Sequence, residues 1–287
     1  MPHPPLISAA ELLALLEQPQ SLVIADCRYV LTDPAAGVRA YNQGHIPGAL
    51  HADLGDLLSG PTTGMNGRHP LPDPETFAAN MAALGANNET LIVAYDAGDS
   101  MFAARLWWLL RWVGHENVRV LDGGLPAWIS AGGGLVTSTH NPARGSFTLR
   151  QRTMPTVTFI DVLQNVQSRQ RVLVDARSPD RFRGENETID PVGGHIPGAL
   201  NHFFKENVDA SGRFKSSGEL RAAFQSLLGD TPAEQIIHQC GSGVTACHNL
   251  LAMEIAGLPG ASLYPGSWSE WCRQRDVPIA TGRADSE

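Results

Sequence analysis

The heptapeptide Gly-His-Ile-Pro-Gly-Ala-Leu occurs twice in this chain, at residues 44–50 and again at residues 194–200, a shift of 150. Internal repetition constrains architecture more than any local pattern, because each copy must fold into the same kind of unit. Four other features recur in the same order at nearly the same shift. Ser8 with Glu11 and Thr158 with Asp161 both read as helix N-cap signatures. LVIADCR, ending at Arg28, is answered by VLVDAR, ending at Arg177. LIVAYDAGDS, from Leu91, is answered by IIHQCGSGVT, from Ile236. LDGGLPAW, ending at Trp128, is answered by YPGSWSEW, ending at Trp271. The chain is a duplication.

Each copy alternates helix signal, apolar strand, turn, helix and strand, which argues an α/β fold with a mainly parallel sheet flanked by helices. One unit is expected over residues 1–134 and the other over residues 155–287. Residues 135–154 are rich in turn formers and lack periodicity, so they read as a linker. Ligands of such sheets bind beyond the carboxyl ends of the strands, and there the copies differ. In the second, Ile236 and Ile237 open a buried strand that ends at Cys240, and Gly241, Ser242 and Gly243 make a turn. From about Val244 a helix follows, with Val244, Cys247, Leu250, Leu251 and Ile255 at helical spacing. A cysteine at a strand-to-helix turn sits beneath backbone N–H groups and at the positive end of a helix dipole. That setting favours the thiolate, and the same donors suit a sulfur just accepted. Most free cysteines are small buried hydrophobes, but glycines that let backbone approach a ligand argue against this for Cys240. Cys247 faces the apolar stripe, and Cys27 and Cys272 lack such a turn, so these three read as structural. The matching place in the first copy is Asp96, which cannot do thiol chemistry. One active site per chain is expected, in a cleft between the units.

The formal charge of −8 argues against a nucleic-acid partner, which would need clustered Lys and Arg. No run of eighteen apolar residues exists to span a membrane, and the first residues carry no basic leader pattern. Four scattered cysteines without a CxxC pair make neither a disulfide framework nor a zinc site. A reducing cytoplasm is the expected location.

Two units with GHIPGA in each, and CGSGVTA only in the second, resemble the tandem-domain rhodanese family over nearly the whole chain. The resemblance implies two tandem rhodanese-like domains, each a mainly parallel five-stranded sheet flanked by helices. It implies sulfur transfer: Cys240 takes a sulfane sulfur from a small donor, becomes a persulfide, and passes the sulfur to a thiol, a reduced redox protein or cyanide. No metal or organic cofactor is implied. Thiosulfate enzymes of the family carry basic residues just after the cysteine, whereas Gly241 and Ser242 make a neutral loop like that of 3-mercaptopyruvate sulfurtransferases. Mercaptopyruvate is therefore the expected donor and thiosulfate the alternative. The loop from Gly241 through Gly243 and Val244 to Thr245 is expected to hold the persulfide, with hydroxyl help from Ser242.

Mercaptopyruvate enzymes of the family also use an arginine of an RF or RY pair and a second one nine residues on. Arg181, in DRFRG, fills the first place; the second falls on Asp190, so Arg183 is the expected stand-in. A first-unit histidine of the family corresponds to His69, in RHPLP, a proton relay with Ser242 and an acidic residue. The family's acidic position falls on Gly55, leaving Asp53 or Asp56. Arg28 and Arg177, each two residues after an aspartate in both copies, read as structural ion-pair partners. His45 and His195 read as braces for their turns, and His238 as structural. Two readings from other classes compete. A phosphatase of related architecture needs Cys-x5-Arg, and Ala246 stands where the arginine would be. A non-catalytic sulfur-binding or sensing module does not call for the intact cysteine loop.

Overall fold

Helix starts are set by side chains that satisfy the first unpaired amides. Ser8 and Glu11 form a reciprocal capping box at the head of the helix Ala9–Leu16, and Thr158 with Asp161 repeats it before Phe159–Ser168. Both were legible in sequence. Ser216 with Glu219 makes a third, at the helix Ser217–Leu228. In the computed structural model, residues 4–17, 21–151 and 153–283 are described, and they form two compact units. The first comprises the described residues of Met1–Gly60, Leu71–Thr153 and Val208–Phe214, and the second those of Pro61–Pro70, Met154–Asn207 and Lys215–Glu287. Ten residues of the first repeat, Pro61–Pro70, thus group with the second unit, and Val208–Phe214 group with the first. Residues 135–151 run along the first unit, with Val136 bridged to His45, Gly145 N–H on Ala82 O, and Arg150 N–H on Val113 O.

In the first unit, strands β1 (Leu6–Ile7), β2 (Leu22–Asp26), β3 (Ala49–His51), β4 (Leu91–Tyr95) and β5 (Val118–Leu121) make one parallel sheet in the order β1-β5-β4-β2-β3. The central strand β4 is buried at all five residues, as expected of a parallel sheet covered on both faces. Each fully buried Leu, Ile or Val contributes roughly 1.5–3 kcal/mol, so these strands anchor the unit. The second unit repeats the plan with β6 (Val172–Asp175), β7 (Leu200–Asn201), β8 (Ile236–Gln239) and β9 (Ser262–Leu263), ordered β7-β6-β8-β9. Its sheet has four strands among the described residues, not the five expected. The fifth position is reduced to a single parallel bridge between Thr156 and Leu263, where Leu263 N–H reaches Pro155 O and Val157 N–H reaches Leu263 O. The partner β9 is only two residues long, too short to template more.

The repeated motifs have matching roles. Arg28 grips Asp26 through Nε and Nη2 (2.9 and 2.6 Å) and also donates to Gly44 O; Arg177 grips Asp175 (3.0 and 2.6 Å) and donates to Gly194 O. His45 Nδ1 meets Tyr41 O and His195 Nδ1 meets Phe182 O, each ring stacked on an aromatic partner, Tyr41 or Phe182. These residues fasten the GHIPGA turn to the sheet in both units, which is the structural role their recurrence implied. Among the described residues no helix is long and apolar enough to cross a membrane.

Candidate active site

Asp96 and Cys240 each follow the central strand of their sheet by one residue, after Tyr95 and Gln239, which pair with Asp26 and Asp175. The turns they begin are equivalent. After Asp96 the chain bends into the helix Ala103–Trp112, and the carboxylate turns back into that bend. Its Oδ1 accepts from Gly98 N–H (3.1 Å) and Ser100 N–H (3.0 Å), and its Oδ2 from Phe102 N–H (2.9 Å) and Ala103 N–H (3.2 Å). Burial, with Asp99 nearby, still pushes its pKa up to about 6. A strand-to-helix turn of this kind therefore gathers backbone amides round one anion.

In the second unit the helix Thr245–Ile255 begins after Cys240, Gly241, Ser242, Gly243 and Val244. It is buried on every side, not along one stripe. Its inward polar residues are satisfied: Asn207 Nδ2 donates to Asn249 Oδ1 (2.8 Å) and lies 3.2 Å from His248 Nδ1, and Asn249 donates to His202 O. The cysteine loop is pinned from outside. Cys240 N–H donates to Ser267 Oγ (3.1 Å), Trp268 N–H to Cys240 O (3.0 Å), and Ser269 N–H to Gly241 O (2.9 Å). Cys247 points its thiol at Gly243 O (3.2 Å) from within the helix. Gly243 holds φ at +76° and a Cβ there would stand 2.5 Å from Pro265 O, so no other residue fits without strain.

Cys240 is 2% exposed. Beside it, a Cβ on Gly241 would lie 2.9 Å from Arg68 Nη2 and 3.6 and 3.8 Å from Arg181 Nη2 and Nη1. The space left by that missing side chain is thus occupied by two guanidinium groups. His69 Nδ1 lies 2.8 Å from Ser242 Oγ. Arg68 and His69 also line an open cleft of about 290 Å³ with Thr62, Gly64, Gly67 and Arg273. Behind the arginines stand two acids. Arg181 makes a fork to Glu187 (3.0 and 2.9 Å) and reaches Asp190 Oδ2 at 3.4 Å. Arg68 pairs through Nη1 with Asp190 Oδ1, and Arg273 approaches the same oxygen at 3.8 Å. Burial raises the Asp190 carboxyl despite these cations. Burial opposes ionisation of Glu187 too, but the Asp190 and Ile189 amides and Arg181 outweigh it and hold that carboxyl low.

The structure thus brings together Cys240, the loop from Gly241 to Thr245, Ser242, His69 and Arg181. Arg183 is elsewhere, forked on Glu185 two residues away (2.8 Å for both bonds). Asp53 Oδ1 accepts from Gly55 and Asp56 N–H within its own turn. His238 is buried against Met253 Sδ (3.0 Å), and burial lowers its pKa to about 3, so it stays neutral. Cys27 and Cys272 are buried, and burial raises both thiols, that of Cys272 to about 11. Arg68 was missed by sequence reasoning. One trace of it exists: Gly67 and Arg68 are answered by Gly212 and Arg213, a further repeat lying a few residues off the main shift. Among the described residues no group of three or more His, Cys, Asp or Glu could hold a metal ion.

The rhodanese-like domain model matches this chain twice, at residues 8–131 and 159–274. A probable 3-mercaptopyruvate sulfurtransferase of Pseudomonas aeruginosa is 44% identical over 96% of this chain and 98% of its own. A putative thiosulfate sulfurtransferase, SseB, of Mycobacterium tuberculosis is 38% identical over 97% and 98%. The crystal structure of SseA from Escherichia coli, described among 3-mercaptopyruvate sulfotransferases of rhodanese fold, superposes with a TM-score of 0.81 at 35% identity, covering 93% of this chain and 99% of that one.

Proposed function

Because the chain belongs to the rhodanese-like family, with two such domains in tandem, we propose that it is a sulfurtransferase that carries sulfane sulfur on Cys240 and takes it from 3-mercaptopyruvate. The observation that supports this most is the pair of equivalent turns. One holds the Asp96 carboxylate with four amides, and the other presents a sulfur at the same strand end. The Cys240 thiolate attacks the donor sulfur. The carbon–sulfur bond breaks with its electron pair going to carbon, and the resulting enolate takes up a proton to become pyruvate. His69 and Ser242, 2.8 Å apart, deliver that proton. The persulfide is held by N–H groups of Gly241, Gly243, Val244 and Thr245, by the Ser242 hydroxyl and by the helix dipole. Arg181 anchors the donor's carboxylate; Arg183, engaged with Glu185, is left out of this reading. An acceptor thiolate, of a small molecule or a reduced redox protein, or cyanide, then attacks the outer sulfur and releases Cys240. Four free cysteines support a reducing cytoplasm as the setting.

Thiosulfate is the second reading, favoured by the guanidinium groups that fill the space beside Gly241. Steady-state rates with both donors decide between them, with Cys240→Ser as control. A higher kcat/KM for mercaptopyruvate is expected. A higher value for thiosulfate would transfer the donor assignment, and turnover by the variant would end the role given to Cys240.

A further inference from the structure

We infer that Arg68 is the second guanidinium of the donor site, binding the donor's carboxylate jointly with Arg181, and that Asp190 orients the two. This rests on the sulfurtransferase reading and adds a residue and a specificity to it. Asp190 is a fully buried carboxylate that takes Arg68 on Oδ1 and Arg181 on Oδ2, so one acid fixes both arginines side by side. With Nη1 of Arg68 on Asp190, and Nε and Nη2 of Arg181 on Glu187, Nη2 of Arg68 and both terminal nitrogens of Arg181 lie 2.9, 3.6 and 3.8 Å from where a Cβ of Gly241 would stand, next to the nucleophile. Both side chains keep an accessible edge, 22% for Arg68 and 18% for Arg181. One further terminal nitrogen from each guanidinium suits the two oxygens of a carboxylate. The arginine expected nine residues after Arg181 is therefore replaced by a cation from a distant loop, and the residue at that position becomes its anchor.

The charge count points to the class of donor. Arg68, Arg181 and Arg273 face Glu187 and Asp190, while Arg177 pairs with Asp175 and also reaches Glu187 at 3.5 Å, so four cations meet three acids. One positive charge remains before the Cys240 thiolate is counted, so a donor with a single negative charge meets less repulsion there than one with two. A 2-oxo monocarboxylate fits this site better than a dianion.

The test compares wild type, Arg68→Ala and Arg68→Lys in two assays: steady-state transfer from 3-mercaptopyruvate, and inactivation of Cys240 by iodoacetate and by neutral iodoacetamide. Arg68→Ala leaves Asp190 paired with Arg181 and Arg273, so the fold is expected to survive. It should raise KM for mercaptopyruvate about ten- to a hundredfold, the loss of one charge-assisted contact, with kcat within about threefold. Iodoacetate should react about tenfold more slowly and iodoacetamide at the wild-type rate, because only the first carries the carboxylate that Arg68 binds. Arg68→Lys should fall between, keeping the charge but not the fork. Unchanged KM with an unchanged iodoacetate rate would overturn the inference, as would equal slowing of both reagents, which marks a structural role. If wild type accepts sulfur from no donor, the sulfurtransferase reading falls, and the ratio of the two alkylation rates still decides whether Arg68 binds anions.

Discussion

Replacing Asp96 by alanine should destabilise the first unit while leaving transfer intact. The carboxylate accepts from four amides, and three of them, on Ser100, Phe102 and Ala103, are buried. A buried donor left without a partner costs about 1–3 kcal/mol. Water replaces the acceptor at the half-exposed Gly98, and the turn can relax, so the lower end applies and the total is about 3 kcal/mol. For a domain of this size each kcal/mol shifts the midpoint by about 2–4 °C, which gives about 6–12 °C. Calorimetry at pH 7.5 would read this as a fall in the first unit's transition, while kcat stays within about twofold because Cys240 lies in the other unit. The loss should also depend on pH. The folded carboxyl titrates near 6 against an ordinary value of 3.8, so the folded state holds that proton more tightly. The contribution is full below 3.8 and declines as pH rises toward 6. The difference between wild type and variant should therefore shrink across that interval. A midpoint within a degree of wild type would refute the claim that this carboxylate satisfies the turn.

Arg177→Ala should cost about 3–5 kcal/mol in denaturant melts, because it strands the fully buried Asp175 without its cation. Arg28→Ala should cost less, since Arg28 is 11% exposed where Arg177 is 1% exposed; equal losses would contradict the burial argument. Gly243→Ala forces a side chain into left-handed backbone, at about 1–2 kcal/mol, and against Pro265 O. The displaced loop should lower kcat/KM by about a hundredfold without moving the first unit's transition; wild-type rates would show that the turn tolerates a Cβ.

The duplication was legible because its contacts are local and made twice. Arg28 reaches Gly44 and Arg177 reaches Gly194 within 16 and 17 residues, and the capping boxes close within three. The cysteine turn was legible for the same reason, since Gly243 is dictated by its own backbone and by Pro265 close by in the chain. What the sequence hid are contacts over long separations. Arg68 meets Asp190 across 122 residues, and His69 meets Ser242 across 173. Only the family resemblance pointed to His69, and only the displaced Gly-Arg repeat left a trace of Arg68, the partner of Asp190. An aspartate at an arginine's place looks like a loss of function until the cation it holds is seen. The fifth strand of the second sheet failed for a different reason: Pro155 and Val157 still make their sheet hydrogen bonds, but to one residue, Leu263.

On this reading, a sulfur at the end of β8 carries a second sulfur as cargo. Intact-mass analysis under non-reducing conditions, followed by peptide mapping, tests it directly after exposure to 3-mercaptopyruvate. A gain of one sulfur atom is expected, located on Cys240, absent from Cys240→Ser and removed by an added thiol. An unchanged mass, or the added sulfur on Cys27, Cys247 or Cys272, would contradict it.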